Sequence, residues 1–109
     1  MLEGLFGSAC REKTLLFLFA RQEGYAREIA RFFNTGLDPV QKQLERLEFG
    51  GVVYGRPAGK TRLYSFNPRY PFLKELKSLL EKAISLYPEE ERDKLTMVRR
   101  RPRRKGKPL

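Results

Sequence analysis

The chain has 109 residues, 40% apolar and 12% aromatic, enough for one small core but not for two. Lysine plus arginine number 23 against 13 aspartate plus glutamate, and the formal charge of +10 favours a polyanionic partner, nucleic acid or an anionic membrane surface. Histidine is absent and there is one cysteine, Cys10, so the commonest general base, an internal disulfide and a Cys/His zinc site are all excluded.

Met1 to Gly7 lacks the basic start and long apolar stretch of a secretory signal. The longest apolar run, Leu15 to Ala20, is six residues, where a bilayer needs about 20. The expectation is a cytoplasmic protein with no membrane partner. Ser8 can cap a first helix running to about Glu23 and ended by Gly24. Its middle, from Thr14 to Ala20, is apolar on every side, so both faces need cover. One face serves the core; the other requires a later helix or a second subunit.

A second helix is predicted from Tyr25 to Phe33, with Ala26, Ile29, Ala30 and Phe33 on one face. Asn34, Thr35 and Gly36 break it. A third helix runs to about Phe49, with Leu37, Val40, Leu44 and Leu47 as a narrow buried stripe. Two starts fit. Gly36 could be the N-cap with Pro39 in the first turn, or Asp38 caps with Pro39 first and Gln41 completing a capping box. Gly50 and Gly51 stop the helix, and Phe49 falls on its exposed side, where it could pack on the following hairpin or on a neighbour.

Val52 to Arg56 and Thr61 to Phe66 are β-rich runs separated by Pro57, Ala58, Gly59 and Lys60, a hairpin signature. A fourth helix is expected from Pro71 to about Tyr87. Its Phe72, Leu73, Leu76, Leu79, Leu80, Ala83 and Ile84 exceed what one face of a small domain uses. Pro88 with Glu89 to Glu91 suits the first turn of a short fifth helix. Charge divides sharply along the chain: residues 1–87 carry +5, residues 88–98 carry −2, and residues 99–109 carry +7. The expected organisation is a folded domain over 1–87, then an acidic connector or short helix and a basic tail over 88–109.

Two short helices joined by a glycine-containing turn form a helix-turn-helix, and a hairpin directly after the second makes a wing. The order of Leu5-Phe-Gly-Ser8, Arg27-Glu-Ile-Ala-Arg31, Val40 to Glu48, Gly51-Val-Val53 and Arg62 to Asn67 resembles the winged helix-turn-helix transcriptional regulators of the ArsR/MarR kind, over roughly residues 5–85. The resemblance implies a mainly α fold with a small β-hairpin and a C-terminal dimerisation helix. It implies sequence-specific binding to double-stranded DNA as a homodimeric regulator, a repressor, nucleoid-associated when bound. The third helix would enter the major groove, with Asp38, Pro39, Gln41, Lys42 and Arg46 near it. Arg56, Lys60 and Arg62 of the wing would meet phosphate or the minor groove, and Tyr25, Arg27 and Thr35 would contact backbone. Glu45 and Glu48 would repel phosphate. The dimer interface would use Leu16, Phe17, Phe72, Leu76, Leu79, Leu80, Ala83, Ile84 and Tyr87.

The chain departs from metal-sensing members, because Cys10 alone cannot supply a thiolate or imidazole ligand set. Cys10 is expected to pack as a small apolar residue; redox sensing would need a second thiol from a partner. No metal, cofactor or enzymatic activity is expected. The tail residues Arg99, Arg100, Arg101, Arg103, Arg104, Lys105 and Lys107 are read as an arm that follows phosphate or enters the minor groove, against RNA or acidic-partner binding, or a solubilising end. Two other functions compete. One is a winged-helix interaction module that holds a partner protein, such as a nucleotidyltransferase or toxin neighbour. The other is RNA binding through the tail.

Overall fold

A computed structural model describes residues 1–97. In chain order the elements are α1 (Glu3–Phe6), α2 (Ala9–Arg21), β1 (Glu23–Tyr25), α3 (Ala26–Phe32), α4 (Leu37–Phe49), β2 (Val53–Ala58), β3 (Thr61–Phe66), α5 (Leu73–Ser85) and α6 (Glu89–Met97). The helices predicted first to fifth are α2 to α6. The fold is a winged helix: mainly helical, with a three-stranded antiparallel sheet in the order β1-β3-β2. Among the described residues no helix is long and apolar enough to cross a membrane.

Local chemistry explains most element ends. The Ser8 hydroxyl accepts from the Arg11 N–H at 3.2 Å and starts α2. Gln22 ends it with φ of +74°, its N–H donating to the Leu18 carbonyl at 2.7 Å, so the helix stops short of Glu23. The freed residues form β1, a strand not expected from the sequence. It pairs with β3 in the register Glu23↔Ser65, Gly24↔Tyr64 and Tyr25↔Leu63. Gly24 is needed there: a Cβ would sit 2.8 Å from Cε1 of the buried Phe17 ring.

Gly36 is the N-cap residue of α4, in extended conformation, which settles the start in favour of Gly36 over Asp38. Pro39 then lies in the first turn, where its missing N–H costs nothing. The buried stripe is Val40, Leu44 and Leu47, joined by Gln43 rather than Leu37, which is exposed. Gln43 is a tolerable core residue because its Oε1 accepts from Arg11 Nε at 2.8 Å. The hairpin is tighter than expected. Pro57 and Ala58 continue β2, and the turn is Gly59-Lys60 alone, with Gly59 at φ of +66°. Proline is admissible because β2 is an edge strand.

Leu15, Leu16, Phe17 and Leu18 are all buried within one chain. The apolar helix is covered by α4, α5, α6 and the sheet, so no second subunit is needed to explain it. Leu80 and Ala83 of α5 complete the same core. The core also extends beyond Tyr87 into α6 through Leu95, 2% exposed. Arg21 holds that helix: its Nε donates to the Leu95 carbonyl at 2.6 Å and its Nη2 to the Lys94 carbonyl at 3.1 Å. The guanidinium lies 4.7 Å from the Phe17 ring centre and 5.1 Å from that of Phe32.

Candidate nucleic-acid interface

With Val40, Gln43, Leu44 and Leu47 turned inward, the helical period leaves Asp38, Pro39, Lys42, Glu45, Arg46 and Phe49 exposed on α4. Gln41 is half-buried at the edge of this face. Lys42, Glu45, Arg46 and Phe49 line one surface groove of about 380 Å³. The outer face of α4 therefore carries two cations, two carboxylates and one phenyl ring.

The wing is fastened to the end of this helix. One oxygen of Glu48, Oε2, accepts from the Gly55 N–H at 3.0 Å and from Arg62 Nη2 at 3.1 Å; Arg62 also donates to the Gly55 carbonyl. Glu48 thus holds the base of the hairpin rather than presenting a bare charge to solvent. Gly55 makes the approach possible, since a Cβ there would come within 2.8 Å of the Tyr64 ring and 3.0 Å of Arg62 Nε. Arg56 of β2 is paired with Glu23 of β1 at 3.6 Å, an exposed pair that reaches across the central strand β3. Of the three expected wing cations, Arg56 and Arg62 have intramolecular partners, whereas Lys60 sits in the turn itself. Such solvated pairs are individually weak.

A second concavity of about 590 Å³ lies between α3 and the wing, lined by Phe17, Arg21, Tyr25, Arg27, Glu28, Arg31, Phe32 and Thr61. The structure therefore brings Tyr25 and Arg27 together with Thr61, the residue beside Lys60. Arg21, Glu28, Arg31, Phe32 and Thr61 also line it, none of them among the expected contacts. Arg31 carried a usable signal, lying one helical turn after Arg27 on an exposed face. Glu28 is occupied locally, its Oε1 accepting from the Tyr25 N–H at 3.3 Å at the start of α3. Thr35 is exposed in the turn between α3 and α4, its N–H donating to the Ala30 carbonyl at 2.9 Å.

The residues expected at a dimer interface separate into two groups. Leu16, Phe17, Leu80 and Ala83 are buried in the single chain and have no surface to offer, because the all-round apolar helix α2 is wrapped by its own domain. Phe72 is 62% exposed, and Leu76, Leu79, Ile84 and Tyr87 are half-buried. Leu5 and Leu86 are further exposed apolar side chains, neither of them among the expected interface residues. The seven basic residues of the tail lie outside the described residues. Cys10 is a half-buried free thiol beside Lys13, Thr14, Ile29, Phe33, Thr35 and Val40. Among the described residues no group of three or more Cys, His, Asp or Glu side chains is placed to hold a metal ion.

No family model matches the chain, and no curated protein matches it. Among solved structures it is similar to Lactococcus lactis ZitR. A ZitR double mutant in apo form superposes with a TM-score of 0.55 at 20% identity, covering 84% of this chain and 78% of that one. A further structure of the same double mutant gives 0.50 at 20% identity, covering 79% and 66% respectively. The likeness is one of fold.

Proposed function

We propose that the protein binds double-stranded DNA sequence-specifically as a homodimeric transcriptional regulator, a repressor, and that it has no catalytic activity. The observation that carries this reading is the joining of three surfaces. The outer face of α4 bears Lys42 and Arg46, the Glu48–Arg62 contact fixes the wing to the end of α4, and Arg27 and Arg31 share a cleft with Thr61 next to Lys60. An exposed helix flanked by cationic side chains on both its neighbours matches a duplex, with bases under the helix and phosphates at the flanks.

In this reading Asp38, Pro39, Gln41, Lys42 and Arg46 of α4 face the major groove. Lys42 meets a guanine edge or a phosphate, and Gln41 pairs with adenine. Tyr25, Arg27, Arg31 and Thr35 contact one backbone, and Arg56, Lys60 and Arg62 the other backbone or the minor groove. The folded unit supplies sequence choice, while Arg99 to Lys107 add grip without discrimination. The dimer is assigned to the apolar side chains that the single chain leaves uncovered, Phe72 and Leu86 with Leu76, Leu79 and Ile84.

The test is selection of duplexes from a random pool by the full chain, with sedimentation of the same sample. The expected result is an enriched consensus of two related half-sites about 34 Å apart, bound by a dimer. A pool that stays random would overturn the reading. A monomer that pulls down a stable protein partner and enriches no duplex would instead favour the interaction module.

A further inference from the structure

Phe49 is 96% exposed, the most exposed large apolar side chain among the described residues. A single apolar residue on a surface carries little meaning by itself; the position of this one does. It is the last residue of α4, and at 3.6 residues per turn it projects within about 20° of Lys42. Lys42, Glu45, Arg46 and Phe49 line a common groove, so the ring shares the face that carries the cations. The wing leaves it uncovered, because the hairpin is fastened through Glu48, about 100° away around the helix.

A phenyl ring has no donor or acceptor for a base edge. The one apolar group that base edges display in the major groove is the C5-methyl of thymine. Lys42 and Arg46, on the same stripe, draw the helix towards a polyanion, and the carboxylate of Glu45 between them can accept from a cytosine amine but repels phosphate, which suits groove floor rather than groove wall. Seven residues of helix span about 10 Å, or about three base-pair steps of 3.4 Å. We infer that Phe49 is a specificity residue that packs on a thymine methyl in the major groove, about three base pairs from the base edge or phosphate met by Lys42. The inference rests on the DNA-binding reading and extends it to the C-terminal end of α4.

The experiment uses the full chain and the duplex it enriches from a random pool. Each thymine is replaced in turn by deoxyuridine, which removes the methyl group alone. At one position in each half-site the wild-type protein should lose about fourfold in affinity, the effect of one buried methyl. Phe49→Ala should bind thymine and deoxyuridine equally at that position and respond normally elsewhere, while Phe49→Leu keeps the discrimination. The inference is overturned if no thymine distinguishes wild type from Phe49→Ala on an enriched duplex. It is also overturned if Phe49→Ala turns a dimer into a monomer, since the ring would then belong to a protein interface. If no duplex is enriched at all, the DNA-binding reading falls together with it.

Discussion

Glu48 shows how one side chain can couple stability to binding. It accepts two hydrogen bonds, one from the Gly55 backbone and one from Arg62. Glu48→Ala should therefore lower stability by about 1–2 kcal/mol in urea denaturation, the ordinary effect of losing two partly exposed hydrogen bonds. The same change removes a carboxylate and leaves Arg62 held only by the Gly55 carbonyl, so affinity for random duplex, read by fluorescence anisotropy, should rise. A variant that is less stable and also binds random DNA more weakly would contradict this placement of Arg62. Tyr87 offers a second test. Its hydroxyl donates to Glu12 Oε2 at 3.1 Å, and burial first, then the Glu12 charge and this hydrogen bond, push its pKa up to about 12 from 10.0. The folded chain thus holds the phenolic proton more tightly than the unfolded one. The stability this contributes is complete below pH 10 and is lost as pH rises towards 12. The gap in denaturation midpoint between wild type and Tyr87→Phe should be constant below pH 10 and narrow above it; a gap independent of pH throughout would exclude the role.

At the scale of elements, Gly24 is an exacting position. Phe17 is fully buried and packed edge-to-face against Phe32 at 5.6 Å and Phe33 at 6.5 Å, so its ring cannot retreat from a new methyl at 2.8 Å. Gly24→Ala should cost about 1–3 kcal/mol in thermal or urea denaturation. Gly4→Ala meets nothing within 4 Å and should be neutral or stabilising. The same contrast explains which elements were readable in advance. The Ser8 cap, the breaks at Asn34 to Gly36 and Gly50-Gly51, and the two β-rich runs around Pro57 to Lys60 are local signals, and they located α2, α3, α4 and the hairpin. Strand β1 has three residues, too few for a period, and exists because β3 offers it an edge. The exposure of Lys42 and Arg46 followed from the helical wheel. The Glu48–Arg62 and Glu23–Arg56 pairs did not, because they depend on register between distant segments. An all-apolar helix announces that it must be covered, but not by what. Leu16 and Phe17 were accordingly expected at a subunit interface, whereas helices of the same chain enclose them.

At the scale of the molecule, charge divides into an unevenly paired folded surface and a tail of seven cations. Under the proposed function the tail adds grip on phosphate without sequence choice, a contribution that should fall steeply with salt. Discrimination between sequences is assigned under the same proposal to groups held at fixed spacing on α4 and the wing. The two contributions are separable by salt, because screening weakens phosphate contacts far more than base contacts. The central claim is tested most directly by the ratio of affinities for an enriched duplex and its shuffled counterpart, followed from low to moderate salt. Both affinities should fall, with the ratio persisting at about a hundredfold or more. A ratio of one at every salt concentration would contradict the account, leaving a polycation that recognises charge and nothing else.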